Sequence, residues 1–94
     1  MIIHPACLTV EVDGVTHRPS RRVWLLIRYL SGHPGHVRSW DQIADAMGAV
    51  DILPSSVASA VRHARKIVGE RIGCRYGMGY SWDAPKPEVA DAGV

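Results

Sequence analysis

The sequence contains no phenylalanine, so aromatic packing must come from its three tryptophans and three tyrosines. It has two cysteines, Cys7 and Cys74, too few and too far apart for a disulfide framework or a zinc ligand set. Both are expected to be buried thiols of a reduced, cytoplasmic protein. No apolar run approaches the roughly 20 residues that cross a bilayer. The N-terminus lacks the basic-then-apolar pattern of a secretion signal. Catalytic constellations are missing too. No Ser/His/Asp or Cys/His set has a supporting context, and no glycine-rich phosphate loop follows a strand. Asp41 and Asp45 stand at i,i+4, which a solvated helix face explains. His63 has no second ligand at i±3 or i±4, and the other histidines are scattered through strands and turns. The chain is therefore read as a non-enzyme without cofactor or metal.

What is present suits one small domain. The 94 residues are 47% hydrophobic and 21% charged, ordinary values for a globular protein. Charge is unevenly spread. The last twelve residues hold Asp83, Glu88 and Asp91 against Lys86. The stretch 55–76 holds Arg62, Arg65, Lys66, Arg71 and Arg75 against Glu70. A gathered basic excess fits a polyanionic partner better than a scattered one.

Leu8–Val12 alternates apolar and polar side chains, and Asp13-Gly14 then predicts a tight hairpin turn into Val15–Arg18. Met1-Ile2-Ile3 is a candidate short strand. Ser20 is placed to cap a helix to Ser31, with Gly32 at its end. Val23, Leu26, Ile27 and Leu30 make its buried stripe, widened by Trp24. Ser39-Trp40-Asp41-Gln42 matches a capping box for a second helix with Trp40, Ile43, Ala44 and Met47 inward. Gly48 ends it. Ser55 or Ser56 is expected to cap a third helix reaching Val68 or Gly69. Residues 71–76 and 79–82 read as two strands joined by Gly77-Met78-Gly79. The segment 83–94, with its prolines and acids, is expected to be a disordered tail to a domain spanning 1–82. The order is N-terminal β-hairpin, three helices and C-terminal β-hairpin wing. That is an α+β, winged helix-turn-helix plan.

The third helix carries the functional signal. At 100° per residue, Val57, Ala60, Val61, Ala64, Ile67 and Val68 share one side. Ser55, Ser59, Arg62, His63 and Lys66 share the other, with Arg65 flanking. A solvated helix of this length ordinarily pairs its cations with glutamates at i,i+4. Here the nearest acid, Glu70, lies beyond the helix end. Small residues at the helix start let it sink into a major groove, and long cations then reach base edges or phosphates.

Leu26-Ile27-Arg28-Tyr29-Leu30, His33-Pro34-Gly35-His36-Val37-Arg38-Ser39, Val57–Val68 and Tyr76-Gly77-Met78-Gly79-Tyr80 together resemble the effector domain of OmpR/PhoB-type response regulators. The resemblance covers about Pro19 to Trp82. The Gly-x-Gly-Tyr wing after a basic helix is its most specific part. It implies a third helix that enters the major groove, with contacts falling on Arg62, His63, Arg65 and Lys66. It implies a wing contact at Tyr76, with Arg75 beside it. Departures from the pattern include Ser55 and Ala58, where the family carries Arg and Asp, and Trp40, where it carries Arg. The chain has no room for a receiver domain, so it is expected to act alone and without phosphorylation of its own.

The leading expectation is a stand-alone, sequence-specific regulator of transcription that binds double-stranded DNA. Arg62, His63 and Lys66 act in the groove beside Ser55 and Ser59. Arg21, Arg22, Arg38, Arg65 and Arg75 hold phosphates, and Ser39 offers its backbone N–H to one. The small interface of one such domain calls for a homodimer or tandem sites. The alternative is an interaction module that has lost DNA binding and meets RNA polymerase or another regulator. The 49–54 connection, with Val50, Ile52 and Leu53, is its expected contact. The bland account of those apolar residues is packing under the loop.

Overall fold

The computed structural model describes residues 1–48 and 53–90. Strands β1 (Ile2–His4), β2 (Thr9–Val12) and β3 (Val15–His17) form an antiparallel meander. The β2–β3 turn is Asp13-Gly14, both with positive φ (51° and 82°), the backbone that a two-residue hairpin twist requires.

Helix α1 (Arg21–Ser31) starts at Ser20, whose Oγ accepts from the Val23 N–H at 3.3 Å. Gly32 closes it at φ −70°, a right-handed end rather than the left-handed glycine stop that the sequence suggests. Trp24 ties the helix to the sheet by donating its Nε1–H to the Thr9 carbonyl at 3.1 Å.

Helix α2 (Trp40–Ala46) opens with the expected capping box. Ser39 Oγ accepts from the Gln42 N–H, and Gln42 Oε1 accepts from the Ser39 N–H at 2.9 Å. Trp40, expected on the buried side, is exposed, because position N1 of this short helix points away from the core.

Helix α3 (Pro54–Val68) is capped by neither Ser55 nor Ser56. Leu53 is the N-cap residue, without a side-chain bond, and Pro54 is the first helical residue. Proline there leaves no N–H to satisfy and presets φ for the helix. Gly69 ends it at φ +65°.

A single 3₁₀ turn (Gly69–Arg71) leads to β4 (Ile72–Arg75), which pairs antiparallel with β5 (Gly79–Trp82). Arg38 and Tyr80 exchange both backbone hydrogen bonds, at 2.8 and 2.9 Å, adding a one-residue third strand to this wing. Gly79 makes that possible. Its φ is +139°, and a Cβ there would collide with the Arg38 carbonyl.

The expected disordered tail is ordered as far as Ala90. Glu88–Val89 forms β6, parallel to β1, completing a four-stranded sheet in the order β3-β2-β1-β6. Trp82 Nε1 donates to the Pro85 carbonyl, and Asp83 N donates to the Arg71 carbonyl. The exposed backbone of β1 is what recruits the tail, since an unpaired strand edge favours a further strand. Residues 91–94 lie outside the described residues.

One core joins the layers. Ile3, Val10 and Val12 from the sheet meet Leu26, Ile27 and Leu30 of α1. Ile43 of α2, Val57, Val61, Ala64 and Val68 of α3, Ile72 and Trp82 close it. Trp82, 1% exposed, supplies the aromatic bulk that the missing phenylalanines leave to tryptophan. Cys7 and Cys74 are both exposed, contrary to the expectation of buried thiols. Cys7 sits on the loop between β1 and β2, and Cys74 on the outer part of β4, at the rim of an open groove beside α3. The architecture is α+β, three helices with flanking β-hairpins, and it is that of a winged helix-turn-helix domain.

Candidate nucleic-acid interface

Burial along α3 sorts its residues by face. Val57, Ala60, Val61, Ala64 and Val68 are buried against α1 and α2, with Ile67 half-buried. Ser55, Ala58, Arg62, His63 and Lys66 are exposed, and Ser59 is half-buried among them. Among the described residues no carboxylate lies within ion-pair distance of Arg62, His63 or Lys66. Nor does any described hydrogen bond hold their side chains. The result is a strip that is small and neutral at its N-terminal end and cationic further along. Ala58, marked in the sequence only as a departure from the resembling family's Asp, belongs to this strip. Its outward position sets a small apolar methyl among the polar side chains of the strip.

Arg65, expected on a phosphate, is engaged elsewhere. Its Nε and Nη2 both donate to the Ile72 carbonyl, at 3.0 and 2.9 Å. The guanidinium fork thereby fastens the end of α3 to the start of the wing. Arg71 does similar work, donating from Nη1 to the Val68 carbonyl at 2.9 Å.

Arg75 is likewise retained within the chain. Its Nη2 lies 3.0 Å from Asp83 Oδ1 and its Nε donates to Ser81 Oγ at 3.2 Å. Ser81 in turn donates to the same Asp83 oxygen at 2.7 Å. The space for the carboxylate exists because residue 73 is glycine. A Cβ there would overlap Asp83 Oδ2.

Ser39 also differs from expectation, because the N–H meant for a phosphate is already donated to Gln42 in the capping box. Arg38 is half-buried, its guanidinium carbon 5.3 Å from the Tyr29 ring centroid. Its Nε is buried without a hydrogen-bond partner among the described residues.

Arg21 and Arg22 are exposed in the first turn of α1. A shallow cleft lined by Pro19, Ser20, Val23, His63, Lys66 and Ile67 sets that helix start beside the cationic part of α3. The wing flanks the other end of α3. A groove of about 460 Å³ runs between them, with Pro54 and Val57 on one side and Cys74, Gly77 and Met78 on the other. Trp40, Tyr80 and Arg75 are among the other residues that line it. Tyr76 at the wing tip is 100% exposed.

The structure thus brings Ser55, Ser59, Arg62, His63 and Lys66 onto one face, with Arg21, Arg22 and Tyr76 at its borders. Arg65, Arg75 and Ser39 are used internally. Residues 49–52 of the expected polymerase-contacting connection lie outside the described residues. Leu53, described, is 65% exposed rather than packed beneath the loop. Among the described residues no three His, Cys, Asp or Glu gather closely enough to hold a metal ion. No described helix is long and apolar enough to cross a membrane.

No protein-family model and no curated protein matches the chain. Among solved structures it is similar to the DNA-binding domain of CadC from E. coli, with a TM-score of 0.77. The match covers 86% of this chain and 83% of that one, at 20% sequence identity, and is a likeness of fold.

Proposed function

We propose that the chain is a cytoplasmic regulator of transcription that binds double-stranded DNA in a sequence-specific manner, with α3 in the major groove and the β4–β5 hairpin as its wing. One observation carries this reading: Arg62, His63 and Lys66 stand exposed, without a carboxylate partner among the described residues, on a helix whose leading turn is small enough to enter a groove. Unpaired cations gathered on one face are where condensed counterions of a duplex are displaced. The likeness to a DNA-binding domain in fold supports the same reading.

Arg62 and Lys66 reach base edges or phosphates, Ser55, Ala58 and Ser59 line the close approach, and Arg21 and Arg22 steer the backbone. A single domain of this size offers an interface on the order of 600–1,000 Å². Useful affinity therefore comes from pairing of two copies or from adjacent sites. A second reading has its own observation: exposed Leu53 at the head of α3 suits a contact with RNA polymerase or another regulator.

The test is anisotropy titration of the full chain against random and selected duplexes across a salt series. DNA binding gives a log–log slope of about −0.9 for each phosphate contact neutralised. No binding even at low salt overturns the DNA reading in favour of the interaction module.

A further inference from the structure

Away from α3, a cleft of about 280 Å³ lies between the C-terminal end of α1 and the segment that leads into β6. Arg28 and His33 line it from the α1 side, and Lys86 lines it from the other. No residue of α3 or of the β4–β5 hairpin lines it, so it is separate from the cationic strip of α3. Among the described residues no carboxylate lies within ion-pair distance of Arg28, His33 or Lys86. The register of β6 explains why its own acid does not serve. Ile2 pairs with both Glu11 and Glu88, and Ile3 pairs with Val89. Paired residues project to the same side of a sheet, and neighbours along a strand to opposite sides. Ile3 and Val89 line the cleft, so Glu88 is turned to the other face with Ile2 and Glu11.

Cations near a helix C-terminus often serve its free carbonyls. Here two of those carbonyls already have donors. The Arg28 carbonyl accepts from the Gly32 N–H at 3.0 Å and from Ser31 Oγ at 3.3 Å, and the Leu30 carbonyl accepts from the His33 N–H at 3.2 Å. The side chains are also positioned in advance. The Arg28 guanidinium carbon stands 5.6 Å from the Trp24 ring centroid, and the His33 ring meets those of Tyr29 and His36 edge-on. Side chains held in place lose less entropy when a ligand arrives.

We propose that this cleft binds a small phosphate monoester. Arg28, His33 and Lys86 hold the phosphate, and a short apolar body lies against Ile3, Pro87 and Val89. A guanidinium fork and an ammonium converging on one point match the geometry and double charge of a phosphate. The volume falls below the roughly 300 Å³ at which drug-sized sites begin, which limits the ligand to a compact molecule. The site joins α1 to the tail, so occupancy fastens β6 to the domain. It does not depend on how α3 is used.

The test is an NMR titration of the isotope-labelled full chain with phenyl phosphate, at constant ionic strength in chloride. Amide shifts are expected at Ser31, Gly32, His33 and Lys86, and they saturate. Arg28→Gln with Lys86→Gln, both at exposed positions, weakens this binding about tenfold. Arg62→Ala with Lys66→Ala leaves it unchanged. Benzoate, with the same ring and one charge, binds about tenfold more weakly than phenyl phosphate. The Glu88 and Ala90 amides, bonded to the Met1 and Ile3 carbonyls, exchange about tenfold more slowly when ligand stands at about ten times its Kd. Shifts confined to α3, shifts that do not saturate, or unchanged affinity in the Arg28 and Lys86 double variant overturn the site. Benzoate binding as tightly overturns the phosphate monoester as its ligand. Unslowed exchange at Glu88 and Ala90 overturns the fastening of the tail.

Discussion

Arg62 on α3 and Arg75 on the wing are the same residue type and both exposed, yet their surroundings differ. Arg62 projects from a helix side where the described residues supply no acid. Arg75 has a carboxylate at 3.0 Å and a hydroxyl at 3.2 Å, both from the strand and tail that follow it. Positive charge counted along the sequence therefore overstates what is offered to a polyanion. A cation already holding an acid releases little when a phosphate arrives, because one pairing is exchanged for another. The helix leaves its charge unpaired among the described residues, and the wing keeps its own charge paired.

The largest effect is expected from removing the anchor of the wing. Gly79→Ala forces a Cβ into the Arg38 carbonyl at a φ of +139°. It should cost about 3 kcal/mol of folding stability. Calorimetry would record a melting temperature lower by on the order of 10–20 °C. An unchanged melt would mean that the wing is not anchored through Arg38.

Next comes the contrast itself. Arg62→Ala with Lys66→Ala should weaken duplex binding by about tenfold or more and flatten the salt slope by about 1.8, two phosphate equivalents. Circular dichroism should show the fold intact. Wild-type titration curves from this variant would remove α3 as the charged reader.

Asp83→Asn should act in the opposite direction. With its acid neutralised, Arg75 becomes available to the backbone, and the salt slope should steepen by about 0.9. A slope identical to the parent would show that Ser81 alone holds Arg75 back.

The smallest change is expected at Arg65. Arg65→Met removes two bonds to the Ile72 carbonyl and should cost about 1 kcal/mol in urea unfolding, with the salt slope barely altered. A slope flattened as far as in the Arg62 variant would return Arg65 to the interface.

Features written in consecutive residues were legible in the sequence. Asp13-Gly14 specified the β2–β3 turn, Ser39 to Gln42 the capping box, and the spacing of Val57 to Val68 the buried side of α3. Each depends on dihedral preference or helical period, which neighbouring residues settle among themselves. Ser55 and Ser56 suggest a later start for α3 than the structure shows, although Pro54 is itself a first-turn signal. Strand β6 left no trace, because two residues have no periodicity and their partner β1 lies at the other end of the chain. The engagement of Arg65 and Arg75 was equally hidden. Their acceptors, Ile72, Ser81 and Asp83, come within reach only after the wing has folded back. Sequence reading found the outward face of α3, but it could not tell a cation facing solvent from one already claimed.

The parallel register of β1 and β6 has a mechanical consequence. Ile2 faces Glu88 and Ile3 faces Val89, so the chain enters one strand and leaves the other at opposite ends of their shared ladder. Tension drawn between Met1 and Ala90 loads the pair in shear. The bonds from Glu88 to Met1 and from Ala90 to Ile3 must then give way together rather than peel apart in turn.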